Sequence, residues 1–203
     1  MCLTDRNKAA VSIVGRKIQM IKVKDNTLTL GKVLAVSKDI QGITSCRKSL
    51  VASYWEAPWL EVISMNGKVL KQFDKRGKSQ HFKWPTFICT TPGGLLLISD
   101  HRTNTITMVD ESLNILQTFT SPLLEKPSGI TTVTEDQILV CSEGNHSIML
   151  LQPSTNTMST VLEHEDGGIE SPNLLAYCPD QKKVYVASCY TDTFKVYQIA
   201  EDY

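Results

Sequence analysis

The stretch Pro127-Ser128-Gly129-Ile130-Thr131 decides the fold, because its pattern of a small or turn-forming dipeptide before an apolar residue recurs along the chain. The same kind of opening is found at Ile40-Gln41-Gly42-Ile43-Thr44, Pro85-Thr86-Phe87-Ile88-Cys89 and Pro172-Asn173-Leu174-Leu175-Ala176. The openings begin at residues 40, 85, 127 and 172. A period of about 40–45 residues indicates one supersecondary unit that is used several times.

Two further landmarks follow in each of these four units, and a third follows in three of them. A β-rich run with a serine near its end comes first, at Val51-Ala52-Ser53-Tyr54, Leu97-Ile98-Ser99-Asp100, Val140-Cys141-Ser142-Glu143 and Val186-Ala187-Ser188-Cys189. An alternating run comes next, at 60–63, 106–109, 148–151 and 194–197, and a fourth run closes three units at 69–73, 115–119 and 157–161. The first 39 residues fit the same plan with runs at 11–13, 18–21 and 28–36. Short runs rich in Val, Ile, Leu and Thr between turn residues predict strands.

Four strands per unit without helical periodicity predict an all-β fold, a β-propeller of about five four-stranded antiparallel blades with the last blade incomplete. The predicted blades are 1–39, 40–84, 85–126, 127–171 and 172–203, in a single domain that spans residues 1–203. A closed β-sandwich is the alternative. It is disfavoured, because a sandwich does not require a repeated Gly or Pro opening.

The charge balance argues against a nucleic-acid or membrane protein. Lys and Arg total 21, Asp and Glu total 21, and the formal net charge is zero, so no global field draws the chain to DNA or to an anionic membrane. The N-terminus lacks the apolar core of a secretory signal, which predicts a cytoplasmic protein whose six cysteines stay reduced. No C-x-x-C spacing occurs, so no metal site is predicted.

The repeats resemble NHL-repeat propellers, as found in the C-terminal region of tripartite-motif and B-box proteins. The resemblance is carried by Ile138-Leu139-Val140-Cys141-Ser142-Glu143-Gly144-Asn145-His146-Ser147-Ile148 and by Leu97-Ile98-Ser99-Asp100-His101-Arg102-Thr103-Asn104-Thr105-Ile106. It implies a non-enzymatic protein-interaction module that recruits substrates for a ubiquitin ligase, with RING, B-box and coiled-coil segments upstream. Since propellers of the family are six-bladed rings, the chain is expected to be the C-terminal part of a larger ring; a closed five-bladed ring is the alternative.

The sequence departs from the family at the turns. Ser142 and Ser188 stand where the family carries Asp, and Thr105, Ser147 and Thr193 stand where it carries Arg. In the family these groups tie neighbouring turns together. Here the turns are expected to be held by hydroxyl hydrogen bonds.

No catalytic motif and no cofactor motif is found. The four histidines lie in turn-like segments without metal spacing, and neither G-x-S-x-G nor a phosphate-binding glycine loop occurs. A calcium-dependent, lactonase-like hydrolase is a second alternative, because oxygen-bearing side chains suit Ca²⁺. Its candidate ligands are Asp100, Asn104, Glu143, Asn145, Asn173 and Asp192.

The partner-binding surface is predicted on the face that carries the turns between second and third strands and the connections between blades. The predicted binding residues there are Trp55, Arg76, His81, Trp84 and Arg102, since Trp and Arg most often anchor interfaces. They are expected to lie beside the acidic stretch 163–166. The competing interpretation is that Trp59 and Trp84 pack between blades. Single-stranded RNA is the alternative partner, because Lys75, Arg76, Lys78 and Lys83 supply a local basic patch.

Overall fold

Five antiparallel sheets follow one another along the chain in a computed structural model that describes residues 1–5, 7–25, 27–73, 81–167, 169–192 and 194–199. Each sheet pairs its strands in sequence order, and the last sheet has three strands where the others have four. The predicted fold class, an all-β propeller with an incomplete last blade, is confirmed.

The strands are assigned to blades as follows. Blade 1 holds β1 (Cys2–Asp5), β2 (Lys8–Ile13), β3 (Lys17–Lys24) and β4 (Thr27–Ala35); blade 2 holds β5 (Ile40–Cys46), β6 (Ser49–Tyr54), β7 (Leu60–Ser64) and β8 (Val69–Phe73). Blade 3 holds β9 (Pro85–Thr90), β10 (Leu96–Asp100), β11 (Thr105–Val109) and β12 (Ile115–Thr120); blade 4 holds β13 (Pro127–Thr132), β14 (Ile138–Ser142), β15 (Ser147–Gln152) and β16 (Thr157–Leu162). A single helical turn, α1 (His164–Gly167), precedes blade 5, which holds β17 (Pro172–Cys178), β18 (Lys183–Ser188) and β19 (Phe194–Gln198). Strand β1 was not among the predicted strands.

The apolar core is divided among the blade junctions. We call the side of a blade that meets the preceding blade its front face, and the side that meets the following blade its rear face. Leu97, Ile106 and Phe119 on the rear face of blade 3 pack against Val140 and Met149 on the front face of blade 4. Three similar clusters fill the junctions between blades 1 and 2, 2 and 3, and 4 and 5. In the described part of the chain, extensive packing does not return from blade 5 to blade 1. The six-bladed ring stays a prediction.

Hydroxyl groups near the inner edge of one blade donate to the innermost strand of the next blade. Ser53 Oγ donates to the carbonyl of Thr86 at 2.9 Å, and Ser99 Oγ donates to the carbonyl of Ser128 at 2.8 Å. At the next junction Ser128 Oγ donates to the carbonyl of Pro172 at 3.1 Å. Ser53 and Ser99 donate from second strands and Ser128 donates from an innermost strand, so the first two strands of a blade are both tied to the innermost strand of the next.

The register corrects one feature of the repeat. The openings Ile40, Pro85, Pro127 and Pro172 pair with Tyr54, Asp100, Ser142 and Ser188, which are therefore the equivalent positions. Within the repeat, Ser53 and Ser99 come one position before the position that Ser142 and Ser188 occupy. The recurring serine therefore stands at two adjacent positions of the second strand. Ser53 and Ser99 link blades, whereas Ser142 binds Glu125 in the connection that precedes its blade.

Glycine in two of the openings allows the inner strands to come close. A Cβ at Gly42 would lie 2.3 Å from the Thr86 carbonyl oxygen, and one at Gly129 would lie 2.6 Å from the Asn173 carbonyl oxygen. Both obstacles are backbone atoms of the next blade, so a larger residue would push the blades apart.

Candidate functional site

The loops of one face are tied together by a repeated backbone hydrogen bond. In blades 2 to 5, the first residue after the second strand donates its N–H to the connection that precedes its blade: Trp55 to Asp39 at 2.9 Å, His101 to Trp84 at 3.0 Å, Glu143 to Lys126 at 3.3 Å and Cys189 to Ser171 at 3.2 Å. The turns between second and third strands therefore share one face with the blade connections. We call this the loop face.

An aromatic and cationic group lies on the loop face at the junction of blades 2 and 3. The rings of Trp55 and Trp84 meet edge to face with centroids 5.6 Å apart, and Trp84 meets His101 at 5.0 Å. The Arg102 guanidinium lies 5.4 Å from the centre of the Trp84 ring, within the range of a cation–π contact. We call Trp55, Trp84, His101 and Arg102 the tryptophan corner. Trp55 is 52% exposed, which leaves half of its surface open to a partner.

Asp100 fixes the backbone that carries the tryptophan corner. Its fully buried carboxylate accepts hydrogen bonds from the N–H groups of Lys83 at 2.7 Å, Trp84 at 3.0 Å, Arg102 at 3.0 Å and Thr103 at 3.1 Å. A carboxylate has acceptor sites for all four donors. Trp84 and Arg102 are therefore positioned by one side chain at the end of β10.

Ser142 takes the equivalent place in blade 4 with a hydroxyl. Its Oγ accepts the N–H of Glu125 at 2.8 Å and donates to the carbonyl of Glu125 at 3.1 Å. The prediction that hydroxyl hydrogen bonds hold the turns is confirmed for this residue. One hydroxyl replaces only part of what Asp100 does, since it accepts one backbone N–H where Asp100 accepts four.

Polar contacts extend the corner towards blades 4 and 5. His101 Nε2 lies 3.9 Å from a carboxylate oxygen of Glu143, and Asn173 Nδ2 donates to Glu143 at 3.1 Å. Burial lowers the pKa of His101 below its usual 6.5, although the Glu143 carboxylate acts in the opposite direction. The imidazole therefore favours its neutral form.

A cavity of about 330 Å³ opens beside the corner. Its lining consists of Trp84, His101, Arg102, Asn104, Glu125 and Lys126. Two of these side chains are cationic, Arg102 and Lys126, and one is a carboxylate, Glu125. Together with the Trp84 indole, they make the cavity suited to a ligand with an acidic group next to an apolar one.

The structure brings together three of the five predicted binding residues: Trp55, Trp84 and Arg102. His81 lies elsewhere, with its ring against Phe82 at 5.0 Å and its Nε2 3.2 Å from Thr107 Oγ1. Arg76 lies outside the described residues, as do Lys75 and Lys78 of the predicted basic patch.

Two further predictions concern Trp59 and the acidic stretch 163–166. Trp59 contacts Tyr54, with ring centroids 6.3 Å apart, and Lys38 Nζ lies 4.9 Å from its ring centre, so Trp59 packs at the junction of blades 1 and 2. The acidic stretch 163–166 overlaps α1, where the ring centroids of His164 and His146 are 5.8 Å apart. Glu143 and Glu125 are acidic side chains that lie at the corner.

Several candidate calcium ligands already bind the backbone. Asp100 is occupied as described, Asn104 Oδ1 accepts the N–H of Lys126 at 2.9 Å, and Asn145 Nδ2 donates to the carbonyl of Leu123. Within the described ranges, no group of three or more His, Cys, Asp or Glu side chains is arranged to hold a metal ion. A search of the same residues finds no helix with the length and apolar character needed to cross a membrane.

The contact between His101 and Glu143 was missed by sequence reasoning. The available signal is that both residues directly follow a second strand, at equivalent positions of blades 3 and 4. Recognising that equivalence requires the register that places Asp100 opposite Ser142.

Comparisons with known proteins support the fold. Neither a protein-family model nor a curated protein sequence matches the chain. A functionally unknown protein from Desulfotomaculum acetoxidans matches 98% of this chain with a TM-score of 0.70 and 16% identity, and the match covers 64% of that protein. The chain thus spans less than two thirds of that relative's length.

Two further structures are similar over nearly the whole chain. The Swd1 β-propeller domain from Myceliophteria thermophila matches with a TM-score of 0.69 and 12% identity over 98% of this chain and 69% of its own. A streptogramin B lyase structure matches with a TM-score of 0.64 and 13% identity over 95% of this chain and 68% of its own. At these identities the similarity establishes a β-propeller fold.

Proposed function

We propose that this propeller is a non-enzymatic protein-interaction module that binds its partner through the tryptophan corner. The observation that carries the proposal is the half-exposed Trp55 ring standing edge-on to Trp84, with Arg102 over the Trp84 ring. Such a surface buries a large area on binding and loses little conformational entropy, because its rings already support each other.

The polar groups beside the corner define the partner's chemistry. Arg102 and Lys126 offer two cations to the cavity, which favours a partner that presents a carboxylate next to an apolar side chain.

The resemblance to NHL-repeat propellers gives this binding a biological context. It supports a cytoplasmic scaffold or substrate-recruiting role in a tripartite-motif-type ubiquitin ligase, with any ligase chemistry in segments other than this propeller. The Swd1 propeller domain shares the fold. Propeller loop faces are suited to such recruitment, since function resides in sites placed on a common scaffold.

The test is a peptide selection followed by matched variants. Dodecapeptides selected from a random library on the wild-type protein are titrated against Trp55→Ala and Arg102→Ala. Each variant is expected to weaken binding about tenfold or more, a loss of about 1.4 kcal/mol. Leu116→Ala is the control, because Leu116 is equally exposed, at 51%, but lies on β12. If the selected peptides bind both corner variants as well as wild type, the corner is not the binding surface.

Single-stranded RNA is the second candidate, favoured by an exposed aromatic ring beside Arg102 and Lys126. A mixed-sequence RNA dodecamer distinguishes the two partners. Its affinity would fall steeply with added salt, because phosphate contacts release counterions, whereas an aromatic protein interface depends weakly on salt. Steep salt dependence that is lost in Arg102→Ala would replace the protein partner by RNA. Thermal stabilisation by Ca²⁺ would favour the hydrolase alternative.

A further inference from the structure

A groove opens between blades 1 and 2 at the end of the strands that lies opposite the loop face. Its volume is about 500 Å³, and we call it the methionine groove after its main lining residues, Lys8, Met20, Lys22, Lys32 and Met65. Lys8 begins a second strand and Met65 directly follows a third strand. The loop face is formed at the other ends of these strands. The methionine groove is therefore separate from the tryptophan corner.

Two methionines give the groove an apolar floor. Met20 is 9% exposed and belongs to the cluster that fills the junction of blades 1 and 2, and the half-buried Met65 packs against that cluster. Gly31 lets the backbone of β4 approach closely, since a Cβ there would lie 3.1 Å from the Met20 carbonyl oxygen. Methionine side chains are flexible and polarisable, so they adapt to different apolar groups. The floor therefore suits an apolar side chain that enters the groove.

Three exposed lysines, Lys8, Lys22 and Lys32, line the groove together with the methionines. Lys8 stands directly opposite Lys22 in the pair of β2 and β3, an arrangement in which like charges repel. Lys8 is in an ion pair with Asp5 at 3.3 Å, whereas Lys22 and Lys32 take part in no ion pair within the described part of the chain. An anionic ligand would offset the repulsion and supply a counter-charge.

Lys32 also ties the two walls of the groove together. Its Nζ donates to Asn66 Oδ1 at 2.8 Å, from β4 of blade 1 to the turn that follows β7 of blade 2. An ammonium group has three donor hydrogens, so this bond leaves others for a ligand. The turn itself is closed by the N–H of Gly67, which donates to the Ser64 carbonyl at 2.8 Å. The walls are thus held before a ligand binds, which lowers the entropic cost of binding.

The charge of the surrounding blade has the same sign as the lysines of the groove. Residues 1–39 contain eight Lys and Arg residues and three Asp and Glu residues, whereas residues 40–203 contain thirteen and eighteen. The zero net charge of the chain is therefore unevenly distributed, and the first blade is basic. A basic region of this kind attracts acidic partners and speeds their encounter.

We propose that the methionine groove binds an acidic segment of another polypeptide, which inserts one apolar side chain between the lysines. The apolar side chain contacts Met20 and Met65, and the carboxylates that flank it meet Lys22 and Lys32. A side chain can reach methionines that lie beneath exposed lysines, whereas the flat surface of a bilayer cannot. RNA fits less well, because none of the described residues that line the groove is aromatic and able to stack on a base.

The probe is a synthetic heptapeptide with one leucine between three glutamates on each side, blocked at both ends. The control peptide has serine in place of the leucine and keeps the charge. At low salt the full chain is expected to bind the probe saturably and the control about tenfold more weakly. The probe should also shift the methyl signals of Met20 and Met65 in NMR spectra. Equal binding of the two peptides, or binding without these shifts, overturns the proposal.

Two charge reversals on one strand locate the binding. Lys22→Glu is expected to weaken probe binding about tenfold. Lys17→Glu makes the same change of charge at an exposed residue at the other end of β3 and should weaken binding about twofold or less. Equal losses in the two variants would show a general attraction by the basic blade and would overturn the proposed site.

Two further measurements separate the alternatives. Trp55→Ala should leave probe binding unchanged, so that failure of this proposal and failure of the proposed function are distinguishable. Vesicles of phosphatidylserine and phosphatidylcholine are expected to bind the wild-type chain more weakly than the probe does. If the vesicles bind more tightly and lose that binding in Lys22→Glu, a membrane surface replaces the polypeptide as the partner.

Discussion

Blades 3 and 5 are built on the same repeat, yet their surroundings differ. Blade 3 has four strands and both faces covered, and its Phe119 is 1% exposed at the junction with blade 4. Blade 5 has three strands in the described part of the chain, and its Phe194 is 63% exposed. The position that Phe194 takes in blade 5 is taken in blade 3 by Ile106, which is fully buried. The contribution of a repeat residue depends on the neighbouring blade as much as on the residue.

The largest expected effect separates these two phenylalanines. Phe119→Ala should lower the free energy of unfolding by about 3–5 kcal/mol, because it leaves a cavity in a packed junction. Phe194→Ala should change it by about 0.5 kcal/mol or less, since the ring is already in solvent. Urea denaturation of both variants, followed by far-UV circular dichroism, measures the difference. Similar losses in the two variants would show that the Phe194 ring is covered in solution.

A smaller effect should distinguish the Asp100 carboxylate from the Ser142 hydroxyl as the group that holds the loop-face backbone. Asp100→Ala leaves four backbone N–H groups without their acceptor and is expected to cost about 3 kcal/mol, whereas Ser142→Ala removes one hydroxyl and should cost about 1 kcal/mol. Thermal melting of both variants provides the comparison. Asp100→Asn is the matched control, because it keeps the shape but replaces one carboxylate oxygen with an amide. A loss for Asp100→Ala no larger than that for Ser142→Ala would contradict the assigned role.

The smallest effect concerns pH at the corner. The pKa of His101 is lowered from 6.5, chiefly by burial. Below about pH 6.5, His101 is therefore protonated to a greater extent in the unfolded chain than in the folded protein. The contribution of His101 to stability is therefore present at neutral pH and decreases as the pH falls from 6.5 through the lowered value. His101→Gln, which does not titrate, should show a shallower decrease in melting temperature between about pH 7 and pH 5. Identical slopes for wild type and variant would refute this role.

Most of the fold could be predicted because the repeat is visible in the sequence. The openings at Ile40, Pro85, Pro127 and Pro172 all begin inner strands of the structure. Strand β1 was missed, because Cys2–Asp5 is short and carries no repeat opening. The serine register was off by one, because neighbouring positions of the second strand hold hydroxyls with different partners, as Ser99 and Ser142 show.

The site could be predicted in part, because the sequence indicates which loops share a face but not where each side chain on them points. Trp55 and Trp84 meet because the loops that carry them share the loop face, which the blade pattern implies. His81 is three residues before Trp84, but its side chain turns to Phe82 and Thr107. The approach of Glu143 to His101 depends on the angle between blades 3 and 4, which no local pattern encodes.

The division of the core into four clusters has a consequence for how the molecule denatures. Because each cluster is shared by two adjacent blades, total stability approximates a sum over neighbouring pairs. A terminal blade is then able to melt while the remaining junctions persist, so unfolding need not be all-or-none. The same independence lets evolution lengthen or shorten such an array by whole repeats, since each addition requires one new junction and leaves the existing ones intact.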